Sequence, residues 1–365
     1  MPASEPVSAP DSIPTSRSGS LALSVLDLIP VRGNQTSADA MQATVALAKR
    51  ADELGFTRYW LAEHHNMPSV AATNPPVLIG LIAAQTARIR VGSGGVMLPN
   101  HSPLVVAEQF ALLEAAFPGR IDLGLGRAPG SDPVITAFLR QSGTTSEVDK
   151  FPDHIRDIRA LLHPEGASLR IASGQDYLLK ATPRSGSVPD VWLLGSSDYS
   201  AKLAAALGLP YVFAHHFSGE GTERALELYR TGFTPSEAWA EPRTFLTANV
   251  SVAPTRAEAL ALALPQLQQM ARLRSGQQLS AVDTVEDAAR ASMTELQQQM
   301  IDRMIERWII DEPVAAADRL RELASRFGVD EVMVSPSASA YAAESAQAAP
   351  GRVRTLELLA AELLV

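Results

Sequence analysis

The chain has 365 residues, 46% of them hydrophobic and 19% charged. That is enough to bury a large core and exceeds the roughly 250 residues of one α/β barrel. A formal charge of -9 argues against a nucleic-acid partner, which needs a basic stripe to displace counterions. The lack of cysteine excludes disulfides, thiolate metal sites and a thiol nucleophile, and fits a reducing compartment.

Residues 1–20 are rich in Pro, Ser and Ala without the apolar stretch of a signal peptide, so they read as a disordered tail before a single domain over 21–365. No run reaches transmembrane length, and the default location is the cytoplasm. Leu21 to Leu28 reads as a strand. Ser37 is placed to cap a helix in which Met41, Val45, Ala48 and Ala51 recur at helical spacing, ending at Leu54-Gly55. A second strand runs from Thr57 to Ala62, Pro75 opens a helix, a third strand passes through Ile89 and Val91, and Pro103 opens the next helix. Proline at a first helical position loses no hydrogen bond.

The fourth strand is Ile121 to Leu125. A long, looser stretch follows, with a helix near Asp153 to Leu162 and a hairpin across Leu169 to Leu179, read together as an insertion. Strands return at Val191 to Leu194, Tyr211 to Ala214 and Phe245 to Val252, with helices at Ser200 to Leu207 and near Glu220 to Tyr229. A second insertion spans roughly Arg272 to Glu312. Its polar half, Arg274 to Ser292, reads as a lid, and Leu296, Met300, Met304, Ile305 and Trp308 then recur at helical spacing. A helix from Val314 to Phe327, an eighth strand at Glu331 to Val334 and a helix over Val353 to Leu364 close the pattern. Eight strands alternating with eight helices predict a (β/α)8 TIM barrel with insertions after strands four and seven, the alternative being a doubly wound sheet.

Polar or glycine clusters end the strands, where α/β folds keep their chemistry. Glu63-His64-His65 follows strand two, and because neighbouring strand residues face opposite ways, only one histidine is expected to work. The spacing does not match a helical zinc motif, and no metal site is predicted. Gly92-Ser93-Gly94-Gly95 breaks strand three and marks either a bulge or a close approach of ligand to backbone. Gly195-Ser196-Ser197-Asp198-Tyr199-Ser200 lies between strand five and its helix, where free amides and the helix dipole favour an anion; the alternative is an ordinary cap by Ser197 or Asp198. Arg127 ends strand four on the same rim and can clamp the same phosphate, or else forms a surface salt bridge. His215 and His216 end strand six and either meet ligand or tie loops together.

Trp60 to His65, Val91 to Pro99 with Asn100-His101-Ser102-Pro103, Gly119 to Arg127, Leu194 to Ser197 and Gly208 to Tyr211 together resemble the bacterial luciferase-like monooxygenases. That resemblance implies a (β/α)8 barrel that uses reduced flavin mononucleotide (FMN), delivered by a separate NAD(P)H:flavin reductase, to activate dioxygen. It implies phosphate contacts from Arg127, Ser197 and Ser200 beside Gly195 and Ser196, a non-proline cis peptide at Gly94-Gly95 under the flavin ring, and His64 as the catalytic residue. A homodimer is implied as well.

The pattern departs from the luciferases at two places. Gly126 stands where they carry a cysteine, and Ser196 where they carry a glutamate, so light emission is not expected. The expected activity is oxygenation of a small organic substrate through a C4a-hydroperoxyflavin. The alternatives are hydride transfer with the deazaflavin F420, or flavin binding without turnover.

Overall fold

A computed structural model describes residues 21–128, 130, 133–140 and 148–364. The expected tail, residues 1–20, lies outside them. In chain order the first half contains β1 (Ala22–Asp27), α1 (Ser37–Leu54), β2 (Arg58–Leu61), α2 (Pro75–Ala83), β3 (Arg90–Ser93), β4 (Val96–Met97), α3 (Pro103–Ala116), β5 (Ile121–Gly126), α4 (Pro133–Arg140), α5 (Phe151–Leu162), β6 (Ala167–Arg170) and β7 (Asp176–Leu179). The second half adds β8 (Asp190–Gly195), α6 (Asp198–Leu207), β9 (Tyr211–Phe213), α7 (Thr222–Thr231), β10 (Thr244–Val252), α8 (Arg256–Arg274), α9 (Val285–Arg290), α10 (Glu295–Arg307), β11 (Ile309–Asp311), α11 (Pro313–Phe327), β12 (Glu331–Pro336) and α12 (Pro350–Leu363).

Parallel pairing runs β1, β2, β3, β5, β8, β9, β10, β12 and back to β1, which closes the eight-stranded barrel and excludes the doubly wound sheet. Local chemistry sets the element ends. Thr36, not Ser37, caps α1: its side chain accepts from the Asp39 N–H while Asp39 reaches back to the Thr36 N–H, and Gly55 closes the helix at φ 86°. Pro75 and Pro103 sit in the first turns of α2 and α3 as predicted.

Inside the barrel Leu26, Trp60, Trp192, Val212, Phe245 and Met333 form one apolar layer, with Trp60 and Phe245 ring centroids 5.3 Å apart. Below it, toward the strand N-termini, Arg58 bonds Asp122 at 3.0 Å and Glu331 at 2.7 Å, and Arg90 bonds Asp122 at 2.5 Å and Asp190 at 2.8 Å. Burial opposes the Arg58 charge, but Glu331 and Asp122 outweigh it and raise its pKa.

The two insertions are real, but their limits differ from the sequence reading. After β5, α5 packs on α3 and fills the regular helix position of the outer ring, so only α4 and the antiparallel β6–β7 hairpin are extra. After β10, α8 begins at once and builds a separate apolar cluster with α9, α10 and β11, so this insertion starts near Arg256 instead of Arg272. Strand β11, which the sequence reading lacks, pairs with the far end of β10.

Candidate active site

A cavity of about 490 Å³ opens at the C-terminal ends of the strands. Asp27, His64, Gly94, His216, Asn249 and Ser335 contribute from the barrel, and Gln266, Gln269, Met270 and Leu273 of α8 form its cover. The segment read as a lid belongs to this cover: Leu279 and Val282 line the cavity, and the Val282 backbone is held by Val31 O at 2.8 Å and by Gly33 N at 2.9 Å.

The Glu63-His64-His65 run divides as strand alternation requires. Glu63 is fully buried; its carboxylate accepts from His65 Nε2 at 2.9 Å, His101 Nε2 at 2.8 Å and the Met97 N–H at 2.9 Å. Burial opposes its charge, yet these bonds hold its pKa down at about 2. His64 faces the other way, into the cavity. Its Nδ1 is buried and has no hydrogen-bond partner, and burial lowers its pKa, so the ring is neutral near pH 7.

At the glycine string both predicted features coexist. The Gly94-Gly95 peptide is cis. Gly92 pairs with Asp122 and Val96 with Leu125, so four steps on one strand oppose three on the other, which is a bulge. Glycine is required from inside the fold: a Cβ at Gly94 would stand 2.7 Å from Leu26 Cδ1, and one at Gly95 2.6 Å from Leu194 Cδ1. Gly94 also lines the cavity, which leaves backbone, not side chain, facing a ligand there.

Arg127 and the start of α6 meet on the rim. The Arg127 guanidinium lies over the Tyr199 ring, 4.2 Å from its centroid. Ser196 and Ser197 are exposed, and Ser197 occupies the N-cap position without making a side-chain cap bond, so its hydroxyl is free. Ser200 differs. It is buried, and its hydroxyl donates to Ser197 O at 2.8 Å and lies 3.1 Å from Tyr211 OH, leaving its N–H as the free first-turn donor. Gly195 is glycine because Ser200 packs against it.

The second histidine pair splits too. His216 shares the main cavity; its Nδ1 lies 2.7 Å from Thr247 Oγ1, and burial pushes its pKa down to about 4. His215 turns away to Thr222 Oγ1 at 2.8 Å and lines a second cavity with Arg307 and Arg326. Sequence reasoning missed Asp27, Asn249 and Arg352 as cavity residues; Asp27, a carboxylate ending a mainly apolar strand, is the one with a local signal. Among the described residues no group of three or more His, Cys, Asp or Glu can hold a metal ion, and no helix is long and apolar enough to cross a membrane.

A family model described as luciferase-like monooxygenase matches residues 21–331. A luciferase-like monooxygenase of Escherichia coli (strain K12) is 44% identical over 257 residues, covering 70% of this chain and 74% of the relative. An N-acetyl-S-alkylcysteine monooxygenase of Bacillus subtilis (strain 168) is 40% identical over 213 residues, covering 58% of this chain and 62% of the relative. The crystal structure of apo-MsnO8 superposes with a TM-score of 0.78 at 33% identity, covering 94% of this chain and 98% of that one. The fold is shared at lower identity by the oxygenating constituent of 3,6-diketocamphane monooxygenase of Pseudomonas putida in complex with FMN (TM-score 0.68, 17% identity, covering 94% of this chain and 98% of that one). It is shared also by an F420-dependent secondary alcohol dehydrogenase (TM-score 0.63, 15% identity, covering 93% and 99%).

Proposed function

The chain belongs to the luciferase-like monooxygenase family, and from that premise we propose that it binds reduced FMN at the barrel rim and oxygenates a small organic substrate with dioxygen. The observation that carries this reading is His64, an imidazole kept neutral by burial and with an unpartnered Nδ1, lining a largely apolar cavity beside the Gly94 backbone. A buried polar atom without a partner is costly in a closed core and useful where a ligand completes it.

The residues fit an FMN group. Arg127 and the first-turn N–H groups of α6, with the free Ser197 hydroxyl, form an anion seat for the phosphate. Leu194, next to the seat, packs against Gly95, and Gly94 and His64 line the cavity, so these residues would hold the ring of a flavin whose phosphate sits at α6. Reduced flavin supplies the electrons that reduce dioxygen and leave one oxygen atom for transfer. Kept neutral by burial, His64 can hold or move a proton at the ring edge that lines the cavity without placing a buried cation beside the reacting atoms. The α8 cover excludes water, and His216 adds a second neutral imidazole on the wall.

Two partner assignments accompany this reading. Reduced flavin comes from an NAD(P)H:flavin reductase. The chain pairs with a second copy through α2 and α3, on which Val77 and Leu112 are 68% and 57% exposed; light scattering at the mass of two chains is the expected result. To test the oxygenase reading, reduced FMN is supplied by a flavin reductase under isotopically labelled dioxygen with a panel of organic sulfides and ketones. One labelled atom per product molecule is expected; flavin reoxidation with no labelled product from any of them contradicts it.

A further inference from the structure

Arg32 is a buried cation that the proposed chemistry leaves unused. It follows β1 and is 5% exposed. Its Nη2 donates to Ser345 O at 3.0 Å and Ala348 O at 3.3 Å, while Nη1 is buried without any partner. A second buried guanidinium, Arg352 of α12, stands close enough that its charge, after burial itself, lowers the Arg32 pKa, with Glu344 acting in the opposite direction. Arg352 Nη1 donates to Asp27 Oδ1 at 2.6 Å. Asp27 has no capacity to spare: it also accepts from the Ile29 N–H at 2.7 Å, from Tyr59 OH at 2.5 Å and from Thr44 Oγ1. One carboxylate is thus bonded to one of the two buried arginines, while Glu344 acts on the other without a bond. A buried charge with no bonded counter-ion is costly for a core to retain, and natural cores keep one where something pairs with it.

Both arginines line a side cavity of about 20 Å³, which shares Pro30, Gln266, Val282 and Arg352 with the main cavity. That space is large enough for one small polar group. We infer that it is the anion end of the substrate pocket and seats a carboxylate, whose oxygens accept from Arg32 Nη1 and from the Arg352 donors that Asp27 does not use, while the apolar body of the molecule lies under α8. This deepens the oxygenase reading and rests on it for the fate of the substrate; binding itself is independent of turnover.

The test compares hexanoate with hexanamide, matched in length and shape, by calorimetry on the purified protein. Hexanoate binds the native protein about tenfold tighter or more, the worth of a charge-assisted contact. Arg32→Gln narrows the gap between hexanoate and hexanamide, Arg352 keeping its share, and leaves hexanamide binding as it was, which also shows that the variant has folded. Equal affinity of the two probes for the native protein, which stands whether or not the variant folds, means that the side cavity holds only water and overturns the inference. A preference undiminished in Arg32→Gln overturns it too. Selective hexanoate binding without labelled product from any substrate would fail the oxygenase reading and leave the carboxylate site standing.

Discussion

At the N-terminal end of the barrel Arg58, Arg90, Asp122, Asp190 and Glu331 are bonded to one another, whereas at the C-terminal end His64 Nδ1, Gln269 Oε1 and Arg32 Nη1 are buried without partners. Trp192 Nε1 and Thr244 Oγ1 are neutral exceptions on the strands themselves. Buried polar groups stand at both ends, so the difference is one of design and not of burial. The lower layer is complete as folded. The upper one leaves donors and acceptors to be completed by molecules that enter the cavity: His64, Gln269 and Arg32 line that cavity or the side cavity that shares residues with it, while Gln268 Oε1 of α8 is unpartnered away from both.

Breaking the closed layer has the largest expected effect on folding. Arg58→Met strands Glu331 without its cation, leaves Asp122 with Arg90 alone, and costs about 3–5 kcal/mol in urea denaturation, since removing one partner of a buried pair leaves the other charge uncompensated. A loss below about 1 kcal/mol would dissolve the contrast between the two ends. His64→Ala acts at the other end: stability is little changed because no protein partner is lost, while oxygenation slows by about a hundredfold and FMN affinity holds. Single-turnover kinetics separates the two, and an unchanged rate removes His64 from the mechanism.

Arg127→Ala sharpens the comparison within the upper end. FMN weakens by about tenfold or more, and riboflavin, which has no phosphate, is unaffected. Equal weakening of both ligands places the phosphate elsewhere. The smallest effect is the pH dependence of His216. Its folded pKa lies below the ordinary 6.5, so the unfolded chain binds more protons between 6.5 and about 4; stability is whole above that window and falls as pH drops through it. From pH 7 to 5 the loss is on the order of 1–2 kcal/mol, and His216→Gln reduces it. Identical pH slopes for the two proteins would show that the imidazole is protonated in the fold.

The barrel was legible because its strands are short apolar runs ending in glycine or polar clusters, and the same clusters pointed to His64, Gly94, Gly95 and Arg127. Boundaries were less so: Thr36 and Ser37 are both good caps, and only the Asp39 side chain selects Thr36. Helix α8 carries Pro265 in its interior, which argues locally against a helix, and the cover of the cavity starts near Arg256, ahead of the Arg272 expected from sequence. The Asp27, Arg32 and Arg352 cluster was invisible because α12 lies at the far end of the chain from β1, and no local pattern reports a contact made by barrel closure. His101 belongs to one of the motifs read from sequence, but its partner Glu63 lies in the loop after another strand, so its bond was equally hidden.

The central claim, that the open end of the barrel is completed by reduced FMN, is tested most directly by anaerobic titration with reduced FMN and, separately, with reduced F420, each followed by rapid mixing with dioxygen. Stoichiometric binding of reduced FMN and a lag before oxidised flavin returns are predicted, with F420 bound weakly. Tight binding of F420, with FMN reoxidising at the rate of the free flavin, would contradict the claim and make the site one for hydride transfer.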